Sequence, residues 1–320
     1  MSLAAKNAEA VNKHLERLMP VLTPLGIMLG FLLSGVFIHL RPFVPWLFSL
    51  MTLAGALKLR VAEFGVVIRS PIPILVFFVS THVLMPLCAL FVASCFLGGD
   101  ADIVAGFILL FAGPAAVSSF MWVTIYRGDK ALCLTLILLD TLLAPLVVPG
   151  TVSLLMGTKV TMDITGIAVS LILMVVIPTI IGVTLNETSR SKIPNLVCPY
   201  LNPVSKICLM LVIAANTSPV AKIIRLDDPK VWEVAGLCIL LSVGGFVFSK
   251  LAAMLIRCNA DKSIALFFPG GLRNISAVTT IAVTFFPEAA ALPALLGIVF
   301  QQTLSAIMGK LLMRKPPQND

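Results

Sequence analysis

Apolar segments of about 20 residues recur along nearly the whole chain, and each is long enough to cross the roughly 30 Å hydrocarbon core of a bilayer. Hydrophobic residues make up 59% of the chain and charged residues only 12%. Soluble domains carry about 25% charged residues, so this chain cannot cover a water-facing surface. The sequence therefore predicts an all-α polytopic membrane protein, with the lipid bilayer as its surroundings.

Ten membrane spans are predicted. They lie at about 21–40, 43–57, 72–96, 103–126, 130–156, 164–184, 199–218, 231–256, 263–286 and 288–312. A polar segment, 1–20, precedes the spans, and a short tail, 314–320, follows them. The spans form one transporter domain, 21–313, which divides into repeat 1 at about 21–156 and repeat 2 at about 164–313.

The Lys and Arg residues of the predicted loops are distributed unequally between the two sides of the membrane. The side of the N terminus carries fifteen: Lys6, Lys13, Arg17, Lys58, Arg60, Arg69, Arg127, Lys130, Arg190, Lys192, Arg257, Lys262, Lys310, Arg314 and Lys315. The opposite side carries five: Arg41, Lys159, Lys222, Arg225 and Lys230. Cytoplasmic loops are enriched in these residues, so a multi-pass protein of the cytoplasmic membrane with both termini cytoplasmic is expected. Basic loops beside anionic lipid account for the positive net charge, and no nucleic-acid partner is expected.

Two of the spans contain helix-breaking residues. Span 4 carries Gly113 and Pro114 near its middle, and span 9 carries Pro269, Gly270 and Gly271. They are the fourth members of two five-span halves, and the odd number of spans per half gives the second half inverted topology. Interrupted spans at matching positions in two halves indicate a transporter binding site. The alternative is that Gly and Pro only kink these helices, as is common in membranes.

Polar residues follow both breaks. Ser118 and Ser119 follow the first, and Arg273 and Asn274 follow the second. A single break would favour a simple kink, whereas two matched breaks with polar residues after each favour a binding site. These residues are therefore candidates for binding a substrate or an ion.

The stretch GPAAVSSFMWVTIYRGDKALCLTLILLDTLLAPLVVPG (113–150) resembles the signature of the bile acid:sodium symporter family and its bacterial members. The match continues at LAGALKLRVAEF (53–64), STHVLMPL (80–87) and GGLRN (270–274), and covers about 20–313. The resemblance implies ten helices, with a panel domain of spans 1, 2, 6 and 7 beside a core domain of spans 3–5 and 8–10. It also implies that the broken helices 4 and 9 cross in the core domain, and that the protein is a secondary transporter working by alternating access.

The chain departs from this family at the positions that bind sodium. One family site uses a Ser-Asn pair after the first break and hydroxyls from span 5. Here Ser119 keeps the Ser, but Phe120 stands in place of the Asn, and Cys133 and Ile137 replace the hydroxyls. Sodium requires several hard oxygen ligands, which phenylalanine and isoleucine cannot provide.

The second family site is altered as well. It uses a Glu at the second break and a Gln four residues later, where this chain has Pro269 and Arg273. A Gln expected in span 3 is Thr81, beside His82. We therefore expect the family fold without its usual pair of sodium sites, and no metal or cofactor.

Arg273 offers a substitute for the missing cation. The first half of each broken helix ends in unpaired carbonyls with partial negative charge. The permanently charged guanidinium of Arg273 is expected to lie against these carbonyls. The free N–H groups at the start of the second halves, near Ala115–Ser118 and Asn274–Ser276, would then bind an organic anion.

Four further polar residues lie inside spans. Asp140 is near the middle of span 5 and is expected to pair with Arg273, because membrane-buried charges usually pair. The alternative is a static salt bridge that only fixes helix register. His82 could relay protons or be a hydrogen-bonded core histidine. Gln301 and Gln302 could line the site or bond across helices; packing is favoured for one of them, and Gln301 is selected for the site.

These observations favour a carrier over other classes of protein. No nucleophile–base pair and no His-rich metal motif appears, so an enzyme is not expected. A channel requires a polar pore, whereas the polar residues here concentrate at the two breaks. The predicted substrate is a small organic anion, either a carboxylate or a bile-acid-like compound, and the coupling ion stays open between proton, sodium and none. The alternatives are a sodium-coupled symporter with relocated ligands and a non-transporting membrane receptor of the same fold.

Overall fold

The computed structural model of the protein describes residues 3–58, 71–157, 163–219, 221 and 227–313. Over these ranges the chain is helical, and its one β-type pairing is an isolated bridge. The helices, with the bounds of the continuous segments, are α1 (Leu3–Leu32), α2 (Ser34–Ala56), α3 (Pro71–Leu97), α4 (Ala101–Ala112), α5 (Ser119–Ile125), α6 (Lys130–Met156), α7 (Ile164–Thr188), α8 (Lys192–Thr217), α9 (Pro229–Leu255), α10 (Ala260–Gly271), α11 (Ile275–Phe285) and α12 (Glu288–Leu312).

Seven helices among the described residues are long and apolar enough to cross a membrane, namely α2, α3, α6, α7, α8, α9 and α12. The shorter helices α4 and α11 are also apolar. The prediction of an all-helical polytopic membrane protein is therefore confirmed.

The N-terminal boundaries differ from the prediction. Helix α1 runs without interruption from Leu3 to Leu32, so the expected division at residue 20 does not coincide with a helix end. The helical conformation is interrupted at Leu33, whose φ of −113° and ψ of 37° are not helical. Arg41 and Pro42, which were expected to separate two spans, lie instead in a short 3₁₀ stretch inside α2. The tighter 3₁₀ winding accommodates the proline ring without ending the helix.

Prolines also explain two π-helical turns inside long helices. In α3 the turn Ser80–Leu84 precedes Pro86, and in α7 the turn Ile172–Val176 precedes Pro178. A proline ring clashes with the carbonyl four residues earlier, and in α3 that carbonyl belongs to His82. The wider π turn, which includes His82, relieves this clash.

The chain divides into two compact units. The first comprises residues 1–61 and 169–224, and the second comprises 62–168 and 225–320. The first unit thus contains α1, α2, most of α7 and α8, and the second contains α3–α6 and α9–α12. This is the division of helices that the family resemblance implied for the panel and core domains.

Close backbone contact holds the first unit together. A Cβ atom at Gly30 of α1 would lie 2.3 Å from the carbonyl oxygen of Ala214 in α8, and one at Gly182 of α7 would lie 2.7 Å from Cβ of Ala56 in α2. Small residues allow membrane helices to approach this closely and gain van der Waals contact. The candidate site residues all lie in the second unit.

Candidate functional site

Two unwound segments meet inside the second unit. One, 113–118, separates α4 from α5, and the other, 272–274, separates α10 from α11. They pair antiparallel through a bridge between Ala115 and Arg273. The Ala116 N–H donates to the Leu272 carbonyl at 3.0 Å, and the Asn274 N–H donates to the Pro114 carbonyl at 2.7 Å. The two interruptions predicted from the sequence are therefore in direct contact.

The first interruption lies where the sequence predicted it. Pro114 disfavours helical backbone angles in the residue before it, and Gly113 accordingly has a ψ of 152°. Glycine is also required there for space, since a Cβ atom would lie 2.3 Å from Cγ2 of Val278. Helix α4 therefore ends at Ala112 with its last carbonyls directed into the unit.

The predicted position of the second interruption was wrong by a few residues. Pro269, Gly270 and Gly271 remain helical as the last turn of α10, and the chain unwinds only at Leu272. The two glycines serve packing, since Cβ atoms there would lie 1.9 Å from Ser249 Oγ and 2.1 Å from the ring of Phe246 in α9. These two side chains press on the backbone of α10, so only glycine fits.

Arg273 is buried, with 3% of its surface exposed. Its Nη2 donates to the Gly270 carbonyl at 3.1 Å, and its Nη1 reaches the Gly113 carbonyl at 3.5 Å. These carbonyls lie at the C-terminal ends of α10 and α4, where the helix dipoles concentrate negative charge. The guanidinium thus joins the two first half-helices, in the position expected from the sequence.

Asp140 does not pair directly with Arg273, contrary to the prediction. Its carboxylate is completely buried; Oδ1 lies 2.7 Å from His82 Nε2, and Oδ2 accepts the Ala115 N–H at 2.7 Å. The antiparallel pairing explains why the Asp140 carboxylate accepts the Ala115 N–H. Ala115 and Arg273 form a non-hydrogen-bonded pair, so the Ala115 N–H points away from the neighbouring segment and needs another acceptor. The negative charge of Asp140 still acts on Arg273 through space.

His82 lies in the π turn of α3 and is 9% exposed. Its ring stacks on Phe78, with the ring centroids 5.5 Å apart. In the part of the chain that the structure describes, His82 Nδ1 is the only buried side-chain nitrogen or oxygen without a hydrogen-bond partner. The neighbouring Thr81 donates its hydroxyl to the Phe77 carbonyl at 2.7 Å, which commits that hydroxyl hydrogen to its own helix.

The remaining polar candidates lie around the start of α5 and α11. Ser119 is buried and donates to the Ala116 carbonyl at 2.6 Å. Asn274 caps α11 by accepting the Ala277 N–H at 3.3 Å. Two amides near the first break that were expected to be free, those of Ala115 and Ala116, are already bonded. At the start of α11 the N–H groups of Asn274, Ile275 and Ala277 are bonded as well, which leaves the Ser276 N–H there for an anion.

Gln302, rather than the selected Gln301, makes side-chain contacts with the residues that follow the first break. Its Nε2 donates to Ser118 Oγ at 3.3 Å, and its Oε1 accepts from Trp122 Nε1 at 3.2 Å. The main-chain carbonyl of Gln301, the residue selected from the sequence, accepts a hydrogen bond from Ser305 Oγ. Consecutive helical residues point in different directions, so the choice depended on which side of α12 packs on α5.

Apolar packing occupies three positions that bind sodium in the family. Cys133 and Ile137 belong to one buried hydrophobic cluster, and Phe120 packs against it. Arg273 occupies a fourth position. The site therefore holds the guanidinium of Arg273 near the start of α11. A positive charge near a helix N terminus suits the binding of an anion.

The chain is similar in sequence to several known proteins. The family model for the sodium bile acid symporter family matches residues 44–225. The uncharacterized protein YbaS of Bacillus subtilis (strain 168) is 36% identical over 296 residues, which cover 92% of this chain and 97% of YbaS. The uncharacterized sodium-dependent transporter YocS of the same organism is 22% identical over 281 residues, covering 88% of this chain and 86% of YocS.

A plant protein is also similar. The probable chloroplastic sodium/metabolite cotransporter BASS3 of Oryza sativa subsp. japonica is 25% identical over 280 residues, which cover 83% of this chain and 63% of BASS3. The chain thus spans slightly less than two thirds of that relative. The family match, the extent of the similarity to YbaS and the apolar helices lead to one conclusion: the chain belongs to the sodium bile acid symporter family, a family of membrane transporters and not of enzymes.

Proposed function

We propose that the protein is a secondary transporter that moves a small organic anion, a carboxylate or a bile-acid-like compound, across the cytoplasmic membrane by alternating access. It does so without the two-sodium coupling usual in its family. The observation that carries this proposal is the buried guanidinium of Arg273, held between the carbonyl ends of α4 and α10.

The proposed architecture is ten spans in two inverted five-helix repeats. The two unwound segments support it, because they occupy corresponding places in the two halves and pair antiparallel about Ala115 and Arg273. Elements related by a two-fold axis in the membrane plane meet in this way, and transporters of this kind bind substrate at the junction.

In this scheme Arg273 supplies the positive charge that a bound sodium ion would supply in a relative. A cation is needed there because two helix ends direct their partial negative charges at one point. A covalently attached cation has no entropy of binding to lose and stays in place through the transport cycle. The anion then binds near it, to the Ser276 N–H at the start of α11, whose neighbouring N–H groups are already bonded.

The names of YocS and BASS3 favour a second candidate, a sodium-coupled symporter in which other oxygen atoms bind the ion. Phe120, Cys133 and Ile137 place apolar side chains at three of the family's ligand positions, so this candidate requires oxygen ligands from other positions. A direct flux measurement separates the two.

We expect uptake that does not require sodium. The purified protein in proteoliposomes would be tested with radiolabelled taurocholate and a set of small radiolabelled monocarboxylates, with sodium replaced by choline. Saturable uptake of at least one probe should be unchanged by the replacement. A steep, saturable requirement for sodium would instead establish the second candidate, and saturable binding without flux would identify a receptor.

We also expect both termini to be cytoplasmic, because of the fifteen-to-five distribution of Lys and Arg. Single cysteines would replace Lys6 or Lys315 in a variant whose seven native cysteines are removed, and an impermeant thiol reagent would be added to intact cells. Neither position should react until the cells are permeabilised. A cysteine at Lys159, on the opposite side, is the matched control and should react at once. Labelling of position 6 or 315 in intact cells would reverse the proposed orientation.

A further inference from the structure

Three ionisable side chains are buried around the pairing of the two unwound segments. Asp140 comes from α6, His82 from α3, and Arg273 from the segment between α10 and α11. The elements packed around them also carry ionisable groups, but these are placed elsewhere: Asp102 and Asp261 lie in the first turns of α4 and α10, Cys238 donates to the Pro293 carbonyl, and Lys250 donates to the Leu312 carbonyl. The three side chains therefore determine the charge of the cluster.

The arrangement of charges assigns the protonation state of His82. Arg273 carries one positive charge, and an ionised Asp140 balances it. A net charge is costly inside a membrane protein, so the resting cluster contains a neutral imidazole. Because the carboxylate can only accept, Nε2 carries the imidazole hydrogen and donates it to Asp140 Oδ1 across 2.7 Å.

This assignment leaves a free lone pair on Nδ1. The atom is buried without a partner, and leaving a buried polar group without a hydrogen bond destabilises a folded protein. Such an atom requires an explanation in a native structure. An imidazole lone pair can accept a proton, and the new imidazolium would form an ion pair with Asp140 through the existing Nε2 bond.

We infer that the ion coupled to anion transport is a proton, which binds at Nδ1 of His82. The inference rests on the proposed function. A proton taken from water forms one N–H bond and leaves the cluster with a net charge of plus one. A bound monoanion restores neutrality, so each of the two ligands favours binding of the other. One proton and one monoanion would cross together without net charge movement, and the proton would return to water on the far side.

Proteoliposomes test this coupling directly, with the same taurocholate and monocarboxylate probes and no sodium. A more acidic exterior should drive transient accumulation of the transported probe above equilibrium, and a protonophore should abolish it. A membrane potential set by potassium and valinomycin should change the initial rate by less than about twofold, since the step moves no net charge. A probe flux that is equal with and without the pH gradient would overturn the inference and leave the proposed function intact.

His82→Gln is the decisive variant. Glutamine can still donate from its side-chain amide to Asp140, but it cannot accept a proton. We expect gradient-driven accumulation, expressed relative to exchange of probe for probe, to fall to the value measured without a gradient. His39→Gln is the matched control, because His39 is exposed and lies in the other compact unit; it should retain the full response. Retention of the response in His82→Gln would overturn the inference.

A spectroscopic measurement does not depend on flux. The chain has three histidines, so ¹⁵N-histidine labelling gives few signals, and the His82→Gln variant identifies the one from His82. That signal should show hydrogen on Nε2 alone at alkaline pH, gain hydrogen on Nδ1 as the pH falls, and gain it at higher pH when the transported probe is present. A ring that stays neutral throughout would refute the proton site even if transport occurs. A titrating ring in a protein that moves none of the probes would reject both the proposed transport and its coupling.

Discussion

Arg273→Gln should abolish binding and uptake of the transported anion. Glutamine removes the permanent charge, and the carbonyls of Gly113 and Gly270 then lose the cation that lies between them. The anion would face two negative helix ends with no compensating charge. A fall of at least about a hundredfold in affinity is expected, equivalent to about 2.7 kcal/mol. Saturation binding and initial uptake rates in proteoliposomes would measure it.

Two further variants separate the charge of Arg273 from its geometry. Arg273→Lys keeps the charge but loses the planar fork of donors, so its single ammonium cannot reproduce the contacts to both carbonyls. Its affinity should lie between those of the wild-type protein and Arg273→Gln. Lys310→Gln removes an exposed positive charge from α12 and should bind normally. Normal affinity and a normal uptake rate in Arg273→Gln would refute the proposal that Arg273 replaces a bound sodium ion. The arginine would then have only a packing role.

Asp140→Asn should strongly destabilise the protein. The asparagine oxygen can still accept the Ala115 N–H, so that hydrogen bond survives while the negative charge is lost. Arg273 is then buried without a counter-charge. Removing one partner of a directly bonded buried ion pair costs about 3–5 kcal/mol, which is the upper bound here because these two charges act through space. Thermal unfolding of the purified protein would show the loss.

A double-mutant cycle isolates the cause. Asp140→Asn combined with Arg273→Gln leaves no net charge in the cluster, so it should recover much of the stability that Asp140→Asn alone loses. Asp140→Ala should be less stable than Asp140→Asn by about 1–3 kcal/mol, because it also leaves the Ala115 N–H without an acceptor. Strictly additive effects of the two charge-removing changes would mean that Asp140 and Arg273 do not interact.

The sequence by itself determined those features that depend on composition and local chemistry. Apolar segments long enough to cross a bilayer predicted the helical membrane protein, since their burial in lipid does not depend on which helices are neighbours. Pro114 determined the first interruption, because a proline restricts the residue directly before it. The contact of Arg273 with two helix ends also followed from local chemistry, since a buried guanidinium near unpaired carbonyls has few other partners.

Only the tertiary structure decided the features that depend on which groups meet across helices. Pro269, Gly270 and Gly271 suggest an unwound segment, yet contact with Ser249 and Phe246 shows that the glycines are needed for packing within a helix.

The hydrogen-bond partners of Asp140 likewise could not be predicted from the sequence. Pairing of Ala115 with Arg273 turns the Ala115 N–H toward α6, and a π turn before Pro86 brings His82 to the same carboxylate. Hydrogen-bond directions at a crossing of two unwound segments depend on their register and on the rotation of neighbouring helices. Neither quantity is encoded in the local pattern of residues, so the His82–Asp140 pair and its free Nδ1 became visible only in three dimensions.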